Sequence, residues 1–126
     1  MSDCNVCIGG GESDGHFDFY NKTNPKARKA HKCSECRRLI EIGQTYERAV
    51  MKWEGDLETF KTCSDCVQIR SGLSCGEGVE YTNLWQEVYD YVFPNMTQAC
   101  IDKVNTVSAK KYLQDRWITW KGLAKQ

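Results

Sequence analysis

The sequence predicts an α+β chain, with a treble-clef or zinc-ribbon core of knuckle, β-hairpin and helix followed by a C-terminal helical extension. Three observations predict it. Cys33-x-x-Cys36 and Cys63-x-x-Cys66 stand with 26 residues between them. Alternating strand-like segments fill that interval, and helical periodicity takes over beyond it. Two i, i+3 thiol pairs suit a tetrahedral zinc ion, because each closes a tight turn that aims two sulfurs at one point. The alternatives for these thiols are disulfides or a redox dithiol. A redox motif would place one CxxC on a βαβ unit, and the chain has no parallel-strand pattern.

Taken in order, residues 1–30 read as an irregular arm. Cys4-Asn-Val-Cys7 is followed by Gly9-Gly10-Gly11 and a polar stretch to Asn24-Pro25. The core spans 31–76. A knuckle at Cys33–Cys36 leads through Leu39–Ile42 to a turn at Gly43. Thr45–Trp53 then reads as a strand, Glu54-Gly55-Asp56 as a reversal, and Leu57–Thr62 as the returning strand. Ser64–Arg70 begins a helix that carries the second pair. Thiolates at Cys63 and Cys66 suit its N-terminus, where backbone amides favour negative charge. Many knuckles place glycine just after their second cysteine, at positive φ; here Arg37 occupies that position.

The extension covers 77–126. Leu84, Val88, Tyr91 and Val92 recur at helical spacing, with Tyr81 and Trp85 flanking, and Pro94 ends that helix. Asn95 or Thr97 is expected to cap a short helix holding Cys100, Ile101 and Val104. Thr106 or Ser108 is expected to cap a last helix that runs to about Lys121 and stops at Gly122. Its stripe is Ala109, Tyr112, Leu113, Trp117 and Trp120.

Composition narrows the classes. In 126 residues, Leu, Ile, Val and Phe are sparse, and six Tyr and four Trp supply much of the apolar surface. A modest core benefits from metal cross-links, since metal-binding free energy becomes folding free energy. Eight cysteines without a signal peptide point to reduced thiols in a cytoplasm. No segment approaches the roughly 20 apolar residues that span a bilayer, so no membrane partner is expected.

Net charge is zero but unevenly spread. Lys22, Lys26, Arg28, Lys29, Lys32, Arg37 and Arg38 face only Glu35 within 22–38. Arg28, Lys29, Lys32, Arg37 and Arg38 are the candidate phosphate-binding set. The alternative is a solvated loop, or charge complementarity with the acidic arm. Lys110, Lys111, Arg116, Lys121 and Lys125 beside Trp117 and Trp120 invite a similar idea, but aromatics at helical spacing more often face their own core.

One zinc is expected on Cys33, Cys36, Cys63 and Cys66. A second is expected on Cys4, Cys7, His31 and Cys75, chosen from a pool that also holds His16 and Cys100. Cys100, in an apolar helical context, reads as a buried core thiol. The alternative is an arm with unbound thiols. No acid–base constellation accompanies the two histidines, and four cysteines close the main site where a catalytic zinc would keep a position open. Enzyme activity is therefore not expected.

The stretch Ala27–Cys36, followed by Ile42-x-x-x-Tyr46-Glu47-Arg48, Lys52-Trp53-Glu54-Gly55 and Phe60–Cys66, resembles a family of small proteins from tailed phages and prophages. The likeness continues through Cys75 and Leu84-Trp85 and covers residues 4–90. It implies zinc binding and expression in an infected bacterial cytoplasm, and no reaction. With the small size and closed site, it leads to the expectation of a non-enzymatic phage accessory protein. Such a protein would bind a host protein and modulate host defence or gene expression. The alternatives are a nucleic-acid-binding regulator using residues 22–38 and a zinc-dependent nuclease or hydrolase. Nothing in the sequence sets the oligomeric state.

Overall fold

The computed structural model describes residues 4 and 8 and the ranges 19–53, 55–74 and 82–124. They form a mixed α+β structure in two compact units, one of Glu12–Ser64 and the other of Met1–Gly11 with Asp65–Gln126.

The first unit is built on an antiparallel sheet of β1 (Phe19–Thr23), β4 (Tyr46–Trp53) and β5 (Asp56–Cys63), in the order β1-β4-β5. The hairpin β4–β5 forms where expected, and its register runs from Tyr46 opposite Cys63 to Trp53 opposite Asp56. Gly55 sits in the reversal at φ 89°, a conformation that costs a residue with a Cβ. As the central strand, β4 buries Tyr46, Ala49, Val50 and Met51. Strand β1 lies inside the arm expected to be irregular. It pairs with β4 from Phe19 opposite Lys52 to Thr23 opposite Arg48. A second, two-stranded sheet of β2 (His31–Lys32) and β3 (Leu39–Ile40) flanks the knuckle.

Segment 25–27 is held against 43–46 by backbone bonds. Ala27 N–H donates to the Gln44 carbonyl, Gly43 N–H to Ala27, and Tyr46 N–H to Pro25, all at 2.9–3.1 Å. The basic residues on either side of Ala27 therefore hang from fixed backbone.

The second unit contains α1 (Ser64–Leu73), α2 (Leu84–Glu87), α3 (Gln98–Asp102) and α4 (Val107–Ala124). Between α2 and α3 the chain widens into a π-helical turn, Val88–Val92, and then a 3₁₀ turn, Phe93–Asn95, that contains Pro94. The widening changes which face is buried. With i→i+5 bonding, Val88 and Val92 stay in the core together with Phe93, whereas Tyr91, expected on the same stripe, is 60% exposed. Thr106 caps α4 by accepting the Ala109 N–H at 3.2 Å, and the helix passes through Gly122 to Ala124. Ala109 and Leu113 are fully buried.

Trp85, Tyr89 and Tyr112 gather around Arg116. Its guanidinium lies 3.9 Å from the Trp85 ring centroid, and it donates to the Tyr89 and Tyr112 hydroxyls at 3.1 and 3.0 Å. Burial alone would lower its pKa; the two tyrosine hydroxyls outweigh that and raise it. Arg116, one of the bases read beside the Trp117/Trp120 stripe, is thus held within the packing of this unit. Trp120 meets Phe93 at 5.7 Å, and Trp117 stacks under the Lys121 ammonium at 3.9 Å.

Gly72 on α1 is the tightest approach in this unit. A Cβ there would stand 2.8 Å from the Lys103 carbonyl oxygen and 3.1 Å from the Val104 Cα. Gly72→Ala is expected to destabilise the chain by about 2 kcal/mol, because overpacking against backbone outweighs alanine's ~1 kcal/mol helix-propensity gain. A thermal midpoint equal to or above wild type would refute the close approach.

Candidate metal centre

The knuckle is a tight turn between β2 and β3. Cys33 N–H donates to the Arg38 carbonyl at 2.9 Å, and Arg37 N–H donates back to Cys33 at 3.0 Å. Ser34 ties this turn to β5, its N–H donating to the Lys61 carbonyl and its hydroxyl accepting the Lys61 N–H at 3.0 Å. Cys33 and Cys36 are thereby brought beside Cys63 at the end of β5. Cys66 follows within the first turn of α1.

The four sulfurs lie within 4.8 Å of one another, close enough to hold a metal ion. Cys36 Sγ and Cys63 Sγ are 3.7 Å apart. A regular tetrahedron with metal–sulfur bonds of about 2.3 Å has edges of about 3.8 Å, so the set is compatible with zinc. Cys33 and Cys66 are buried, and Cys36 and Cys63 are half-buried. Among the described residues no other group of three or more His, Cys, Asp or Glu side chains comes close enough to hold a metal.

Hydrogen bonds converge on the sulfurs. Cys33 Sγ accepts the backbone N–H groups of Glu35, Cys36 and Cys63 at 3.4, 3.5 and 3.3 Å. Arg38 donates to Cys36 Sγ at 3.4 Å and to Cys63 Sγ at 3.8 Å. Trp85 Nε1–H donates to Cys66 Sγ at 3.4 Å. Donors of this kind favour the anionic sulfur, orient it, and offset the charge of a tetrathiolate. Sequence spacing alone located the thiols; it gave no sign of Trp85 as the partner of Cys66.

Arg37 has φ 67°, the left-handed conformation that glycine usually supplies in a knuckle. A residue with a Cβ costs about 1–2 kcal/mol there. Arg37→Gly is expected to raise stability by about 1 kcal/mol, read as a higher thermal midpoint with metal bound. A lower midpoint would mean the arginine side chain contributes more than its backbone costs.

The second expected ligand set is not assembled. Cys4 Sγ is bonded to Cys100 Sγ in a disulfide, which corrects both the assignment of Cys4 as a zinc ligand alongside His31 and the reading of Cys100 as a free core thiol. The physical reason is the packing of α3, which buries Cys100 completely with Cys4 as its neighbour. His31 has a different role. Its Nδ1 lies 3.1 Å from Lys61 Nζ, so it accepts from the ammonium and carries its own proton on Nε2. Partial burial, and then the charges of Lys61 and Lys29, hold its pKa below the usual imidazole value. Cys7, Cys75 and His16 lie outside the described residues.

The basic candidates separate. Arg28 and Lys29 line a cleft of about 480 Å³ together with Lys26, Arg48, His31, Tyr46, Thr23 and Pro25. Arg48 carries no local signal for this place: the pairing of β1 with β4, Thr23 opposite Arg48, and the bracing of 25–27 on 43–46 bring it there. Lys32 and Arg37 are exposed outside the cleft lining, and Arg38 is engaged with the sulfurs. Among the described residues no carboxylate lines the cleft. No helix among the described residues is long and apolar enough to cross a membrane. No family model, curated protein or solved structure matches the chain.

Proposed function

We propose that this chain is a non-enzymatic binding module with a treble-clef core held by zinc on Cys33, Cys36, Cys63 and Cys66, and that its cationic cleft engages nucleic-acid phosphates. The observation that carries the nucleic-acid reading is the cleft lining: Lys26, Arg28, Lys29 and Arg48, with no acidic side chain among the described lining residues. Four cations on braced backbone attract a polyanion at low cost in chain entropy. Lys61 adds its charge through His31. Zinc is supported by four thiol donors within 4.8 Å of one another, and the treble clef by the order of knuckle, hairpin and helix around them.

A fluorescently labelled duplex and a single strand of mixed sequence, titrated at several salt concentrations, test this proposal. Four phosphate contacts give a slope of log affinity on log salt of about −3.6 for duplex DNA. A slope near zero, or no binding at low salt, removes the nucleic-acid reading.

A host-protein partner is the second reading, favoured by Leu39 and Ile42, which are 57% and 70% exposed beside the knuckle. A bacterial phage setting rests on the resemblance. A stoichiometric partner whose binding is lost in Leu39→Asp/Ile42→Asp but kept in cleft variants would put this reading first.

A further inference from the structure

We propose that Cys36 and Cys63 are the site at which a small disulfide oxidant modifies this chain, closing a Cys36–Cys63 bond that expels the metal. The inference rests on the zinc reading of the tetrad and is independent of the nucleic-acid reading.

The four thiols of the metal centre are not equivalent. Cys33 and Cys66 are completely buried, whereas Cys36 and Cys63 are half-buried. Coordination to a divalent ion keeps a thiol deprotonated, so charge state does not separate them. Access does. Thiol–disulfide exchange needs a thiolate that the incoming disulfide can reach, and the two buried residues offer it no surface. Fixed donors also hold the buried sulfurs: three backbone N–H groups on Cys33 and the Trp85 indole on Cys66. Stabilising the anion in this way lowers its nucleophilicity. Cys36 and Cys63 instead share the exposed Arg38 guanidinium. A partly exposed thiolate beside a cation is the setting of a reactive cysteine. The positive charge also draws in an oxidant that carries carboxylates.

Proximity then chooses the partner. Cys36 Sγ and Cys63 Sγ are 3.7 Å apart, and both belong to the unit Glu12–Ser64. Closing that gap to an S–S bond of about 2.05 Å asks the knuckle and the end of β5 to approach by less than about 2 Å. Sequence spacing would favour a bond within each CxxC pair. Each pair, however, contains one buried member, Cys33 or Cys66, so the reachable thiolates are the two that face each other across the pairs.

The exchange balances without a further reactant. The Cys36 thiolate attacks one sulfur of the oxidant, breaking its S–S bond and releasing one thiolate. The Cys63 thiolate attacks Cys36 Sγ of the mixed disulfide and releases the second. Two electrons pass from the cysteines to the oxidant, and the exchange itself moves no proton. Cys33 and Cys66 alone are too few ligands for a tetrahedral structural ion, so zinc leaves.

Oxidation of the zinc-loaded full chain by glutathione disulfide tests this, in a Cys7→Ser/Cys75→Ser background that removes the two thiols outside the tetrad and the Cys4–Cys100 bond. Non-reducing peptide mapping should find Cys36–Cys63 as the first new disulfide. A chromogenic chelator should register one zinc released per bond formed, and a dithiol reductant with added zinc should restore the starting state. Should that background fail to fold, iodoacetamide labelling of the zinc-loaded wild type decides: initial alkylation of Cys36 and Cys63 is expected at least about 10-fold faster than that of Cys33 and Cys66. A first bond within Cys33–Cys36 or Cys63–Cys66, equal labelling of the four, or a Cys36–Cys63 bond that forms with zinc retained would overturn the proposal. A chain that carries no zinc before oxidant is added would overturn the tetrad reading along with it.

Discussion

Cys33→Ser is expected to abolish the cooperative folding of residues 19–63. Cys33 is fully buried, accepts three backbone N–H groups, and sits where the knuckle meets β5. A serine oxygen binds zinc poorly and leaves those donors facing a weaker acceptor. Structural zinc contributes roughly 10–16 kcal/mol in small metal-folded modules, comparable to or larger than the whole stability of an ordinary domain, ~5–15 kcal/mol. The sheet here is only three strands with short flanking pieces, so little remains once the ion is lost. Circular dichroism and thermal melts of the variant, and of wild type after chelation, should both show a broad, non-cooperative loss of strand signal. Restoring zinc should rescue the chelated wild type and not the variant. A reduced, metal-free chain that still melts sharply at the wild-type midpoint would show that the sheet holds without the ion.

The second large effect is expected from Arg28→Glu/Arg48→Glu. The two residues reach the cleft from different elements, one from the braced segment after Ala27 and one from the central strand. Both are exposed, so the fold should tolerate the exchange. Replacing two cations with two anions removes two phosphate contacts and adds repulsion. Nucleic-acid affinity at low salt should fall by about 100-fold or more, and the salt slope should shrink by about 2. Lys110→Glu/Lys111→Glu on α4 serves as the control, with affinity expected near wild type. Equal losses in both variants would mean that general charge, rather than the cleft, attracts the polyanion.

How much of this was legible beforehand follows from the range of each signal. The CxxC pairs are local and chemically specific, and the reversal at Gly55 between two strand-like runs is local too, so the tetrad and β4–β5 are read directly. Strand β1 is not: Phe-Tyr-Asn-Lys-Thr has no period-2 apolar pattern, and its pairing partners lie 25 to 33 residues away. Arg48 entered the cleft through that same unseen pairing. Tyr91 was misplaced because a π turn shifts the helical period, and no local residue announces it. Nothing local to Arg116 announces that three aromatic rings and two hydroxyls hold it half-buried. The Cys4–Cys100 bond joins distant positions, and spacing rules say nothing at that separation.

The indole of Trp85 touches the sulfur of Cys66 and the guanidinium of Arg116 at once. That makes it an optical gauge set into the chain: stripping the ion changes the electron density of the atom its N–H meets, and the emission of this one fluorophore should shift with occupancy. Trp85→Phe would silence that response, so metal exchange can be followed in real time without any added dye.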